Sequence, residues 1–258
     1  MILLSFDIEE FDMPIEYGVA LPFKSQIAIS QQGTEIVLAL LKKHKVHATF
    51  FCTGNFAYHA GELIKQIARE GHEVASHGYY HSKFNAGHFK KSKNILEKIS
   101  GNPIAGFRMP RMMPVDAKML REAGYQYNSS LNPTYLPGRY NHLKARRDCW
   151  HEKNLLQVPA SVTPFLRIPL FWLSFHNLPF GIYKRLCKRT YNKDGYLNLY
   201  FHPWEFIYLG PRGKFGFPRY IVRNSGDKMI KRMDNLIQWM KLSGYPFATF
   251  KDFIQSTI

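Results

Sequence analysis

The sequence is poor in cysteine. Its 258 residues hold three, Cys52, Cys149 and Cys187, an odd number with no CxxC spacing, which argues against both a disulfide framework and a thiolate zinc site. The N-terminus lacks the basic segment and long apolar stretch of a secretory signal, and together with unpaired cysteines this points to the cytoplasm. No run of about 20 clean apolar residues is available to span a bilayer. The most apolar segment, Pro164 to Phe180, is interrupted by three prolines and Arg167. It reads as a core or lid segment, with an interfacial patch as the second reading, helped by the basic stretch Tyr183 to Arg189 behind it. No linker, repeat or low-complexity tract divides the chain, so it reads as one domain spanning 1–258. The least regular region is a loop-rich insertion around 131–154.

Positive charge is missing where negative charge is concentrated, at the start of the chain. Residues 1–20 carry five acids (Asp7, Glu9, Glu10, Asp12, Glu16) and no Lys or Arg, whereas the whole chain has 35 Lys+Arg against 19 Asp+Glu and a formal charge of +16. A basic surface of this kind attracts phosphate-rich partners such as anionic lipid or a phosphate-linked saccharide. Nucleic acid is not expected, because no nucleic-acid module is recognisable and charge alone is a weak sign of one.

What is present is an alternation of short apolar strands with amphipathic helices. Strands are predicted at 1–7, 48–53, 73–76, 104–108, 125–128, 155–159, 196–201 and 246–249, and helices at 35–44, 62–71, 116–124 and 225–244. This pattern favours a parallel α/β core, in which functional groups gather at the C-terminal ends of strands. Four polar clusters fall at such ends. In "SFDIEEFD" side-chain alternation puts Ser5, Asp7 and Glu9 on one face. "EVASHGYYH" carries His77 and His81 at the i,i+4 spacing common in divalent-metal sites. "GFRMPRM" ends a strand at Arg108, able to hold a carboxylate by a bidentate pair, with Pro110 fixing the turn behind it. "LNLYFHPWEF" delivers His202 beside Trp204, suited to acid or base work near neutral pH. Each cluster alone is also compatible with a structural role. Together they supply an acid plus two histidines for a metal, a further carboxylate as base, an arginine to orient it and a late histidine as acid. That is a set suited to metal-assisted hydrolysis of an amide or ester.

On these motifs the chain resembles the polysaccharide deacetylase family (carbohydrate esterase family 4, the NodB-homology fold), and phrases such as "GFRMP", "YNSSLNP" and "YFHPWE" resemble a branch associated with exopolysaccharide loci. Ser5-Phe6-Asp7 matches the family's first motif, His77 to His81 its paired-histidine motif with Gly78 in the Ser/Thr position, Arg108-Met109-Pro110 its Arg-x-Pro motif, and Tyr200-Phe201-His202 its late histidine motif. The resemblance implies an irregular (β/α)7 barrel and a carbohydrate deacetylase acting on a glycan, polysaccharide or lipid-linked saccharide. It implies Asp7, Arg108 and His202 as catalytic residues, and Glu9, His77 and His81 as ligands of a divalent metal, zinc first with Co2+, Ni2+ or Mn2+ as alternatives. Pro110, Trp204 and Tyr80 are the substrate contacts expected from their places in these motifs. Two departures stand out. Ile8 occupies the position of the family's metal-binding second aspartate, so Glu9 is the expected replacement. The Asp–Trp element that supports the catalytic histidine has no clear match, since Asp148 and Trp150 in "RRDCWHE" sit in unsuitable surroundings. Two other readings stay open: a metal-independent hydrolase of the same fold, motivated by Ile8, and a non-catalytic protein binding glycan or anionic lipid. The basic balance further suggests a cytoplasmic enzyme peripheral to the inner membrane.

Overall fold

The computed structural model describes residues 1–210 and 214–257. Its strands are β1 (Ile2–Ile8), β2 (Thr49–Cys52), β3 (Glu73–Ser76), β4 (Gly106–Phe107), β5 (Tyr127–Asn128), β6 (Tyr135–Leu136), β7 (Tyr140–Asn141), β8 (Trp150–Glu152), β9 (Leu155–Gln157), β10 (Leu197–Phe201) and β11 (Phe247–Ala248). Seven of them form a parallel curled sheet in the order β10-β1-β2-β3-β4-β5-β9, with β8 antiparallel on β9 and β11 parallel to the start of β1. This is the expected irregular (β/α)7 barrel. All eight predicted strands are present, most trimmed by one to three residues at their ends.

Strand β1 shows why the sheet curls around a polar floor. Ile2, Leu4, Phe6 and Ile8 pack outward into the large apolar cluster shared with the helices. Leu3, one face over, joins the lumen cluster with Phe51, Ala75, Tyr127 and Phe250, and Ser5 and Asp7 continue that inner face towards Arg108. Apolar side chains therefore fill the lower lumen, and polar ones take over where the strand ends. The C-terminal helix (Phe250–Thr257) seals the bottom, with the Phe250 ring stacked on Tyr127 at 5.3 Å.

The helices on the outside are longer or more numerous than the sequence pattern suggests. The helix predicted at 35–44 is the second half of α1 (Phe23–His44), which begins directly after Pro22 and stops at Lys45 in the left-handed region. Its first half is too polar to show apolar periodicity, yet Gln26, Ile27 and Ser30 are buried against neighbouring loops. Residues 164–180 hold a tight loop and a short helix (Trp172–Asn177), followed at once by a longer helix over Phe180–Asp194. Among the described residues no helix is long and apolar enough to cross a membrane. The 131–154 region contains the β6–β7 hairpin and β8.

Gly33 marks the closest approach of α1 to the catalytic end of the barrel. A Cβ placed there would lie 2.1 Å from the carbonyl oxygen of Pro203, the residue after His202. The obstacle is backbone and cannot rotate away. Gly33→Ala is expected to lower stability by about 1–3 kcal/mol through overpacking, read as a fall in the urea midpoint at unchanged m-value.

Candidate active site

The C-terminal ends of β1, β3, β4 and β10 converge on one cavity of about 390 Å3. Asp7, Glu9, His77, His81, His202 and Trp204 all line it, so the four polar clusters separated along the chain meet in space.

At the floor lies a buried ion pair. Arg108 is fully buried and donates from Nη1 to Asp7 Oδ1 at 2.6 Å and to Ser5 Oγ at 3.0 Å. Its Nε and Nη2 donate to the carbonyl and hydroxyl of Ser129 at 3.1 and 3.0 Å. The guanidinium also lies flat over the Phe51 ring, 3.9 Å from its centroid. Four hydrogen bonds and an aromatic face fix Arg108, and Arg108 in turn fixes one Asp7 oxygen. Asp7 is thereby oriented, with its second oxygen left for chemistry.

Beside this pair Glu9, His77 and His81 bring one ligand atom each to within 4.8 Å of one another. Glu9 Oε2 lies 3.3 Å from His77 Nε2 and 2.9 Å from His81 Nε2, but the ring geometry is wrong for hydrogen bonding and the buried oxygen has no donor. The reason is visible on the far side of each ring. His77 Nδ1 lies 2.9 Å from the Arg108 carbonyl, which can only accept, and His81 Nδ1 lies 2.6 Å from Asp12 Oδ1. Both Nδ1 atoms therefore carry a proton, so Nε2 of a neutral ring carries none and is left as a ligand atom beside the carboxylate. With both rings neutral, three electron-rich atoms converge with no hydrogen between them, as a cation requires; with no cation, a second proton on His81 offsets the carboxylate instead. Burial works against charge here: it raises Glu9, but the two histidines outweigh it and hold the carboxyl well below its usual range. It lowers His81, but Glu9 and Asp12 outweigh it and push the imidazole up to about 10. The site demands positive charge, and its donor set suits a divalent cation.

His202 completes the constellation. Its Nδ1 lies 3.0 Å from Glu205 Oε1, and its backbone N–H donates to the same oxygen at 2.6 Å. The other Glu205 oxygen lies 2.9 Å from His176 Nε2, and both Glu205 and His176 are fully buried. The His202 ring stacks on Trp204 at 4.8 Å and meets Trp172 edge-on at 5.5 Å. Burial opposes the imidazolium, yet Glu205, with help from Glu9 and Asp7, raises the His202 pKa above its ordinary value. Burial likewise raises Glu205, and His176 and His202 together bring it below the usual carboxylate range.

Several expectations need correction. Tyr80 does not line the cavity; its ring packs edge-on against Tyr79 and His88 at the outer surface. Pro110 is buried and does not line it either. Its ring lies against Gly78, where an added Cβ would touch it at 3.4 Å, so it braces the loop between the two histidines. Asp148, left without a role by its sequence surroundings, is exposed and paired with Arg146. The support for that histidine comes from Glu205, His176 and Trp172 instead. Glu205 stood three residues after His202 in "HPWE", a spacing that closes a single helical turn. His176 and Trp172 had no signal beyond being polar or aromatic inside an apolar run. Asp12 orients His81, and Ser82 donates to its other oxygen. On the cavity wall Asn132 donates from Nδ2 to the hydroxyls of Tyr140 and Tyr200, leaving Oδ1 without a partner. Trp204 Nε1 is likewise buried and unpaired. Both residues belong to the lining of this aromatic-walled cavity.

With this geometry in view, comparison with known proteins is informative. Residues 2–128 match the family model for polysaccharide deacetylase. A peptidoglycan-N-acetylmuramic acid deacetylase of Bacillus subtilis is 46% identical over 48 residues, covering 19% of this chain and 18% of that protein. A peptidoglycan-N-acetylglucosamine deacetylase of Bacillus cereus is 36% identical over 99 residues, covering 33% of this chain and 36% of that protein. The matched part is thus a third or less of this chain and about a third or less of those relatives. A solved structure described as a probable polysaccharide deacetylase from Pseudomonas aeruginosa superposes over 97% of this chain and 88% of that one, with a TM-score of 0.67 at 16% identity. At that identity the likeness is one of fold, and it includes the part of the chain past residue 128.

Removing Arg108 would leave the Asp7 carboxylate buried without a partner. Arg108→Leu is expected to cost about 3–5 kcal/mol of stability. The double variant Asp7→Asn/Arg108→Leu should cost less than the single one. Chemical denaturation of the three proteins measures both.

Proposed function

We propose that this chain, whose residues 2–128 match the polysaccharide deacetylase model, is a metal-dependent hydrolase that removes an N-acetyl or related acyl group from a sugar of a glycan or lipid-linked saccharide. The observation that carries this reading is the convergence, in one cavity, of the three lone pairs of Glu9, His77 and His81 beside the Asp7–Arg108 pair and the His202–Glu205 pair. The names of the B. subtilis and B. cereus relatives support the same reaction class.

Glu9, His77 and His81 would hold the cation, zinc being the ion their mixed oxygen and nitrogen donors suit best. When bound, it would supply Lewis-acidic charge that polarises an acyl carbonyl and acidifies a water. Asp7, held by Arg108, takes the proton from the attacking water as its oxygen adds to the acyl carbon. His202, oriented through Nδ1 by Glu205, presents Nε2 as the proton donor to the sugar nitrogen as the C–N bond breaks, giving acetate and a free amine. Trp172 and Trp204 enclose the imidazole and restrict water around it. The aromatic walls and the free polar atoms of Asn132 and Trp204 would position the sugar ring.

Acetate release from an N-acetylated oligosaccharide tests the proposal. Activity should vanish with chelator and return with zinc, and Asp7→Asn should lower turnover about 10²–10⁴-fold while zinc stoichiometry stays at that of the parent. Full activity in chelator would favour the metal-independent reading, and unchanged turnover in Asp7→Asn would remove Asp7 from its role.

The pH profile tests the acid. His202 must be protonated to donate, so activity falls as pH rises through its pKa, and a raised pKa extends activity to higher pH. Glu205→Gln takes away the main raising influence. The alkaline limb of kcat should therefore move to lower pH in that variant, while the acidic limb stays in place.

A further inference from the structure

The loops around the cavity mouth carry a feature that hydrolysis does not use. Phe165 and Leu166 are 83% and 78% exposed, among the most exposed large apolar side chains in the described residues. They form the tip of a tight loop closed by the Thr163 N–H to the Ile168 carbonyl at 2.9 Å and by the Ile168 N–H to Thr163 Oγ at 3.0 Å. Arg167 adopts φ 53° to make the turn, a left-handed conformation that costs a non-glycine residue energy. The loop is tied to the β6–β7 region by Thr134 Oγ, which donates to the Arg167 carbonyl at 2.6 Å. That region adds Tyr135 and Leu143, 53% and 43% exposed.

The same two loops are cationic. Arg139, Lys144, Arg146, Arg147 and Arg167 lie within them, and the sequence has no acid between Leu131 and Arg147 or between Lys153 and Lys193. Asp148 and Asp194 pair with Arg146 and Arg147, and Glu16 with Arg139. Lys144 and Arg167 make no ion pair among the described residues. The two loops also frame the cavity, which is lined by Leu136, Pro137 and Tyr140 on one side and by Phe171 to Leu173 on the other.

From this we infer that the Phe165–Leu166 tip and its basic surround form a docking surface for an anionic lipid bilayer, which sets the cavity mouth at the membrane interface. A protruding apolar pair gains by entering the headgroup–acyl boundary, and flanking cations gain by lying over anionic headgroups. Charge complementarity decides for lipid over a protein partner. The cations around the tip outnumber nearby acids, and the pair projects outward and presents no flat apolar face. This surface is independent of how the reaction proceeds, but it would give the enzyme first access to saccharides carried on lipid.

Co-sedimentation with vesicles tests it directly. At low salt the protein should bind phosphatidylcholine vesicles containing about 30% phosphatidylglycerol and leave pure phosphatidylcholine vesicles unbound. Phe165→Ser/Leu166→Ser should weaken binding on the order of tenfold or more, with its melting temperature and its hydrolysis of a soluble substrate unchanged. Leu166→Trp should show a blue shift in emission when the anionic vesicles are added. Equal binding by parent and double variant, no binding to anionic vesicles, or an unshifted Leu166→Trp spectrum would overturn the proposal. So would a parent dimer that the double variant converts to monomer without any vesicle binding, since the tip would then be a contact between protein chains.

Discussion

Burying negative charge at the end of β1 is the constraint around which the upper half of this barrel is arranged. Asp7, Glu9, Glu10 and Asp12 are each no more than 7% exposed, and a carboxylate removed from water must find a cation or several donors. Each of the four recruits a different part of the chain. Asp7 draws Arg108 from β4, Glu9 draws His77 and His81 from the loop after β3, and Asp12 shares His81 and takes Ser82. Glu10 points to the other side of the strand and is met by Thr53 and Asn55 after β2. Burial raises Glu10 and those hydrogen bonds only partly offset it, so its surroundings shift it towards the neutral acid. The period of two along β1 thus decides which acids serve the cavity and which serve the wall.

That constraint accounts for the ligand geometry as well. A histidine is a good ligand at one nitrogen only when the other is committed. Here the commitments come from the backbone carbonyl of Arg108 and the carboxylate of Asp12, groups that are themselves anchored by the first requirement. Arg108 therefore acts twice, its side chain on Asp7 and its carbonyl on His77. The position where the family carries a second aspartate is filled by Ile8, whose side chain points outward into the apolar cluster. Alternation denies it access to the cavity. Glu9, one residue on and one methylene longer than aspartate, lies on the correct face with its Oε2 between the two imidazoles.

The alternation of strand and helix, the inward face of β1, and the residues at four strand ends were legible in the sequence because they depend on local periodicity and on the chemistry of single side chains. Tyr80 and Pro110 lie off the cavity, because proximity along the chain says nothing of direction in a loop. Gly78, at φ 76°, turns the backbone between His77 and His81 so that Tyr80 faces away from them. Asp12, His176 and Trp172 were out of reach for a different reason. Their importance lies in what they touch across 69, 29 and 30 residues of chain, at His81, Glu205 and His202. Glu205 is an intermediate case. Its spacing from His202 was on view, but only the buried His176 behind it shows that it is a shared hydrogen-bond centre, where a surface cap would look the same in sequence.

Charge in this protein is therefore sorted by depth. The floor of the cavity is acidic and can tolerate this only because Arg108 and the histidines offset it, while the rim and the loops beyond it are basic through Arg111, Arg139, Lys144 and Arg167. Arg111 and Arg139 share Glu16 at the rim, at 3.1 and 2.8 Å, so the border between the two fields is itself an ion-pair network. An anionic carrier or polymer would be drawn to the rim by the outer field and held there, with its neutral acylated sugar the part best suited to pass the aromatic walls. The +16 formal charge and the acidic first strand are in this view two halves of one arrangement. On the proposed function, the outer charge would gather the substrate, and the inner charge would be kept for the bond that breaks.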